Sequence, residues 1–400
     1  MKVSKIYKKV ATVGVLLSGV CLGVINAEGG DNAVAQALKA VGLEASGFVS
    51  TSYVESNRNS NASSFSMEQA ELDLKAKSGD ASLTLDLDFH DGSSKSQNYS
   101  FSGGEGGEVE QAYIGYENVG GLEGLNAQFG KWNAPIGLEG YDAPDRSQWS
   151  LSYTFFNAIP ANMTGLKFEY GPDSLAGLSF EAFIANGWDS NADTNSGKTF
   201  GFGAGYSNDD LGITWAADYF TGSETNRGVT TISEAHRHRR NVFDTFIQYS
   251  IPGLDGAWVA YEYLEADDDA ASTQRPSDSS SSWSGRIYKA HMPLVNDGDT
   301  ETLGLTVRYE TFQDRGNATT PALTTGRTPL NMQLSSGNEK VAATTVALNF
   351  VVPETEGAVT GHLEYRHDKT KHNAFNSTRN GATNDSSHNN TVALNLIYSF

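Results

Sequence analysis

The segment TVALNLIYSF, from Thr391 to Phe400, decides how the rest of the chain is read. Val392, Leu394, Leu396, Tyr398 and Phe400 occupy alternate positions. Side chains alternate across a strand with period two, so all five share one face. Such a strand must find partners on both edges or leave one edge open, and a closed barrel supplies both. The closing strand of a secreted β-sandwich would alternate in the same way, so these ten residues admit either architecture.

The same period runs through the chain from Ala45 onward. In Ala81 to His90, Leu83, Leu85, Leu87 and Phe89 share one face, while Thr84, Asp86, Asp88 and His90 share the other. Sixteen segments read this way: 44–55, 66–77, 81–91, 108–117, 124–133, 161–170, 177–187, 198–207, 211–221, 240–251, 256–265, 281–291, 301–312, 340–352, 357–368 and 389–400. The connections alternate between short turns rich in Gly, Pro, Asp and Asn and longer polar stretches such as 267–282. A sixteen-strand membrane barrel with both ends in the periplasm needs seven short turns and eight external loops. Aromatic residues close strand after strand on the apolar face. Tyr53, Phe89, Tyr219, Tyr263, Tyr309 and Tyr365 do so at one rim, and Tyr116, Tyr170, Tyr206, Tyr249, Phe350 and Tyr398 at the other. Membrane barrels carry such girdles at both interfaces and a water-soluble sandwich has no use for them. The expected fold is an all-β transmembrane antiparallel β-barrel of about 16 strands, with 14 and 18 as the alternative counts.

Residues 1–27 have the form of an export signal. Lys2, Lys5, Lys8 and Lys9 precede an apolar run from Val10 to Ile25, and small residues up to Ala27 offer a cleavage site. The single cysteine, Cys21, falls inside this leader, so no disulfide framework is expected. Residues 28–43 read as a short periplasmic segment with Val34, Leu38 and Val41 at helical spacing; the barrel is expected over 44–400. The formal charge is −20, and losing the four leader lysines makes it −24, which argues against nucleic acid as a partner.

The faces opposite the apolar ones carry charge of both signs. Glu71, Asp73, Lys75, Asp86, Asp88, His90, Lys167, Glu169, Arg308, Glu310, Glu364 and Arg366 are the expected pore-lining residues. Buried unpaired charge is costly, so water is expected to reach them, and sixteen strands make a ring wide enough for an aqueous channel. The third long connection, 134–160, holds three prolines and five aromatics. It is expected to fold inward and form a constriction from Glu139, Tyr141, Asp142, Asp145, Arg146 and Trp149. An external loop packed on its neighbours is the competing reading, and an aromatic track for sugars through Trp132, Tyr141 and Trp149 is a further one.

In the basic run 236–240, Arg237, Arg239 and Arg240 suit the phosphates of outer-leaflet lipid. The arginines beside His236 and His238 would repel a cation, and neither a metal-ligand set nor a cofactor motif is read elsewhere. Asp88 with His90, and Glu364 with His362, pair acid and imidazole, but no nucleophile motif accompanies them, so no enzyme is expected.

The motifs VEQAYI (109–114), FGKW (129–132), PIGLE (135–139), DRS (145–147), Thr164-Gly165 and IANGWD (184–189) resemble the porin-2 type, OmpL-like family of Gram-negative outer-membrane barrels. The resemblance implies a passive porin for small hydrophilic solutes and ions, located in the outer membrane and without catalytic residues. Phosphate-selective porins share the style of Phe129 to Glu139. They would imply a lysine-rich constriction, whereas here Arg146 stands against Glu139, Asp142 and Asp145. A weak cation preference is therefore expected. A sugar- or anion-specific porin and a surface adhesin are the alternatives. The terminal segment resembles the C-terminal signal of outer-membrane proteins, which gives Tyr398 and Phe400 a role with the barrel assembly machinery. Lipopolysaccharide and a homotrimer are the other expected partners.

Overall fold

The computed structural model describes residues 42–57, 63–90, 106–193, 197–224, 239–268, 281–298, 300–315, 339–371, 373–375 and 386–400. Residues 1–41, which hold the expected leader and most of the expected periplasmic segment, and Arg237 lie outside these residues.

Sixteen strands follow in chain order: β1 (Leu43–Ser56), β2 (Ser63–Ser78), β3 (Ala81–His90), β4 (Gly106–Tyr116), β5 (Leu125–Asn133), β6 (Asn162–Tyr170), β7 (Leu178–Ala185) and β8 (Thr199–Asn208). Then come β9 (Ile213–Ser223), β10 (Arg239–Ser250), β11 (Trp258–Asp268), β12 (Ser281–Asp297), β13 (Thr300–Arg315), β14 (Glu339–Val351), β15 (Val359–Thr370) and β16 (His388–Ser399). Each pairs antiparallel with its neighbours in sequence, and β1 pairs with β16, so the sheet closes into a barrel with no free edge. The terminal segment is the closing strand. Val49 faces Tyr398, Tyr53 faces Leu394, and Phe400 exchanges backbone hydrogen bonds of 3.0 and 3.1 Å with Gly47. Hydrocarbon offers no partner for an open backbone edge, so closure is the condition for crossing it with strands.

Apolar and aromatic side chains stand on the outer face, including Leu83, Phe89, Ile114, Tyr116, Tyr170, Tyr219, Tyr309, Tyr365 and Tyr398. Charged and polar ones turn inward. Three strand pairs carry register shifts among the described residues: β12 and β13 shift at Pro293 to Asn296, beside their connecting turn, and the other two shifts fall within β2 and β4. Ser50 pairs with Gln69 and Thr51 with Met67, which leaves Glu68 as an extra residue in β2. Asp86 pairs with Gln111 and Leu87 with Val109, which leaves Glu110 as an extra residue in β4. Each is a β-bulge, and a bulge re-aims a side chain. Glu68 and Gln69 are both buried on the inner side, as are Glu110 and Gln111.

The main buried apolar cluster lies inside the barrel. It joins residues of the 134–161 connection to inward side chains that include Trp132, Phe183, Phe220, Val242, Leu264, Trp283 and Phe312. Gly201 makes room for part of it. A Cβ there would overlap the ring of Phe183, which packs edge-on against Phe220 at 4.8 Å.

Candidate functional site

The connection between β5 and β6 packs against the inner wall. Its α-helix, α1 (Tyr153–Ala158), starts where Ser152 Oγ accepts a hydrogen bond from Phe155 N at 3.0 Å, a side-chain N-cap. It stops at Ile159, whose extended backbone (φ −125°, ψ 157°) suits the residue before Pro160. All six helix residues are buried. Trp283 Nε1 donates to Ala158 O at 3.1 Å, and Gly285 leaves space for Thr154, since a Cβ there would overlap the threonine side chain.

Ahead of α1 the loop backbone is held by the basic wall of β13 and β15. Arg308 Nη1 donates to Ser150 O at 2.8 Å, and Arg366 Nη1 donates to Leu151 O at 2.8 Å. The carboxylates of the wall take the loop's N–H groups: Ser150 N donates to Glu364 at 3.1 Å and Tyr153 N to Glu310 at 2.7 Å. Tyr153 Oη donates to Asp368 at 3.0 Å, and the Arg366 guanidinium lies 4.6 Å from the Tyr153 ring. Glu139 completes the network from the loop side. It accepts from Ser152 N at 2.7 Å and Arg308 Nη1 at 2.5 Å, with Lys289 Nζ at 3.6 Å. Burial alone would raise its carboxyl, but Arg308 above all, then Lys289 and the Ser152 N–H, hold it at about 2. Arg366 bridges Asp368 at 2.8 Å and Glu310 at 3.1 Å.

This arrangement corrects the expectation that water solvates the charged wall. Arg308, Glu310 and Arg366 are fully buried and Glu364 nearly so. Ion pairs and loop backbone replace water around them, which is how buried charge is tolerated. These four residues back the loop and do not line an open passage. Glu71, Asp86, Asp88 and Lys167 also face inward and are largely covered. Asp73, Lys75 and Glu169 keep partial exposure on the inner side, as do Asp142 and Asp145 of the loop. His90 ends β3.

Of the six loop residues singled out by the sequence, Glu139, Tyr141, Arg146 and Trp149 are buried. Arg146 Nη1 donates to Trp149 O at 3.1 Å, and its own carbonyl lies 3.1 Å from His362 Nε2. Burial lowers Arg146 to about 9, against the opposing pull of Glu68 and Glu364. Asp142 is raised to about 6 by burial and by Asp73, and Asp145 is held well above the usual carboxylate range by burial, Asp142 and Asp73. Trp132, Tyr141 and Trp149 are packed in the interior, so they form no open aromatic track.

Arg240 turns inward. It pairs with Asp268 at 2.9 Å and lies over the rings of Trp188 and Trp283 at 4.6 and 5.7 Å. The lipid-phosphate reading is therefore withdrawn for Arg240, because strand alternation puts it on the opposite face from Arg239. Arg239 is exposed and donates to Thr221 Oγ1 at 3.0 Å.

Several inward acids escaped the sequence reading: Glu68, Glu110, Glu181, Asp218, Asp244 and Glu262. Glu68 accepts a hydrogen bond from Ser52 Oγ. Glu262 takes Leu138 N of the loop at 3.3 Å. The last four sit at ordinary alternate positions and were legible. The first two needed recognition of the bulges, whose shared trace is an E-Q-A run in mid-strand, at 68–70 and 110–112.

The profile of the family described as "Putative beta-barrel porin-2, OmpL-like" matches residues 42–400. No curated protein sequence matches the chain. Among solved structures it is similar to the anion-selective porin from Comamonas acidovorans, with a TM-score of 0.59 and 9% identity over 90% of this chain and 99% of that one. It is similar to OmpT of Vibrio cholerae (TM-score 0.57, 13% identity, 90% and 97% covered). It is also similar to Salmonella typhi OmpF in complex with daunomycin (TM-score 0.56, 14% identity, 90% and 97% covered). At these identities the likeness is one of fold.

Proposed function

The chain belongs to this OmpL-like porin family, and from that premise we propose that it is a weakly cation-preferring outer-membrane porin whose lumen is narrowed by the 134–161 loop. An outer-membrane channel of the Gram-negative type is what family and fold establish together. The preference and the constriction are our reading.

One observation supports the preference. The arginines of β13 and β15 are sealed beneath the loop with carboxylate partners. The inward side chains that keep partial exposure are mostly acidic: Asp73, Asp142, Asp145, Glu169 and Glu181, against Lys75 and Arg240, the latter paired with Asp268. A charged ring near a narrow passage sets selectivity by its sign. The Comamonas porin named above is anion-selective, so the sign separates the two proteins within one fold.

In planar bilayers the purified barrel should give stepwise conductance, and its reversal potential in a KCl gradient should carry the sign of potassium preference. Folded, heat-modifiable protein that conducts nothing would remove the channel reading. Clear chloride preference would remove the cation reading alone.

The surrounding assignments follow from the same picture. Small hydrophilic solutes and ions cross passively, and no inward acid–imidazole pair is given a catalytic role. Arg239 serves the phosphates of lipopolysaccharide at the outer rim. Tyr398 and Phe400 serve the barrel assembly machinery. Residues 1–27 are removed on export. The Vibrio OmpT has a trimer form, and we extend a homotrimer to this chain through its apolar outer face.

A further inference from the structure

Where Asp142 meets β2, β3 and β4, the loop is surrounded by carboxylates. Oxygens of Glu71, Glu110 and Asp142 lie within 4.8 Å of one another, and those of Glu71, Asp73 and Asp86 do the same, so Glu71 belongs to both groups. Among the described residues no ion pair joins any of these five to a lysine or arginine.

Acidity alone would assign nothing here. The second observation is the state of two buried side chains. Glu110 is fully buried. Its Oε1 accepts from Asn133 Nδ2 at 2.5 Å, while its Oε2 has no donor. Asp86 is 3% exposed; Gln111 Nε2 donates to its Oδ2 at 2.5 Å, and its Oδ1 has no donor. A buried carboxylate oxygen without a donor is costly and calls for a partner. The remaining hydrogen bonds orient the cluster. Gln69 Nε2 donates to Asp142 at 3.3 Å and to Glu71 at 3.2 Å, and Ser46 Oγ donates to Asp73 at 3.1 Å. The bulge that re-aims Glu110 thereby brings it into this group.

We infer that Glu71, Glu110 and Asp142, with Asp73 and Asp86 at the margin, form a site for a hard divalent cation, and that calcium is the ion that fits. Calcium takes six to eight oxygens at about 2.3–2.6 Å, so opposed ligands stand ~5 Å apart, and it accepts irregular geometry. Magnesium needs a tighter octahedron and sheds water reluctantly. The set has no nitrogen or sulfur for zinc or copper. A bound ion would tie the middle of the loop to β2 and β4, away from the ion pairs that hold its later part to β13 and β15. Nothing in this inference depends on conduction.

The test uses full-length barrel refolded in detergent without lipopolysaccharide, whose phosphates would bind the same ions. After treatment with EDTA, calcium chloride is titrated while thermal unfolding is followed, and terbium luminescence is read separately. The expected result is a rise in unfolding temperature with calcium, a smaller rise with magnesium at equal concentration, and terbium emission displaced by calcium. Glu110→Gln combined with Asp142→Asn should lose both signals; Asp142→Asn alone, on the loop, reports the same loss if the double variant folds poorly. An unfolding temperature that calcium leaves unmoved at ~10 mM, above the usual range of extracellular calcium sites, overturns the proposal. So does a calcium shift that survives unchanged in the variants.

Discussion

Replacing Glu139 by glutamine asks whether ion pairs hold the loop against the wall. The substitution keeps the shape and removes the charge. The Glu139 carboxyl is held at about 2 against an ordinary 4.5, which is worth ~3 kcal/mol at about 1.4 kcal/mol per pH unit. The side chain is 3% exposed, so solvent screening takes little from that figure. Removing one member of a buried pair costs ~3–5 kcal/mol, because the other charge stays buried. Arg308 keeps Ser150 O at 2.8 Å and Glu310 at 3.7 Å, which places the cost at the lower end, ~3 kcal/mol. No strand ladder passes through Glu139, so the cost falls on docking of the loop and not on the barrel. It amounts to a shift on the order of a hundredfold in the docking equilibrium. Trypsin reads it directly, since Arg146 is buried in the docked loop and cleavage tracks the open population when reclosing is fast. Cleavage between Arg146 and Ser147, identified by mass, should accelerate by about that factor while the barrel stays heat-modifiable. The same group fixes a pH window. Its folded value is depressed, so its contribution is complete above about 4.5 and drains away as pH falls toward 2. Pepsin sensitivity of the wild-type loop should rise across that window, and the Glu139→Gln loop should show no such rise. Cleavage at Arg146 that is as slow in Glu139→Gln as in wild type would refute the argument.

Arg366→Met should cost ~3–5 kcal/mol, because Glu310 and Asp368 lose their shared cation inside the barrel; urea unfolding in detergent measures it. Gly201→Ala should cost ~1–3 kcal/mol by driving the Phe183 ring off Phe220, seen as a lower unfolding temperature. Deleting Phe400 removes the backbone pair with Gly47 and the exposed terminal ring, and should lower folded barrel in the outer membrane while export continues; normal folded levels would count against an assembly role. Replacing Asp145 and Arg146 together by alanine should change the reversal potential, and an unchanged value would place the loop outside the conducting path.

All sixteen strands could be found from the sequence because a half-lipid, half-lumen wall enforces period two over ten or so residues at a time. The terminal segment, with Val392 to Phe400 on one face, shows how little else is needed. The loop was legible as unusual, through its prolines and aromatics, yet its contacts were not. Arg308 and Glu139 are 169 residues apart, and no local pattern announces that the two meet. The charged wall misled for a related reason. Alternation tells which side a charge faces, but not whether water or another segment of chain meets it there. Period-two reading also has no place for an extra residue, which is why Glu68 and Glu110 were passed over while Gln69, Glu71 and Gln111 kept their faces.

The two bulges have a consequence for how this wall can change over generations. Within a regularly alternating stretch, losing one residue turns every following side chain to the opposite face. At Glu68 it would not. Met67 points out, Gln69 points in, and joining them restores plain alternation with the pairing on either side intact. The same holds for Glu110 between Val109 and Gln111. Loss of a single codon could thus strip an acid from the lumen and leave the lipid-facing surface as it was. These two carboxylates are separable additions to the barrel, open to gain or loss without redesign of the strands that carry them.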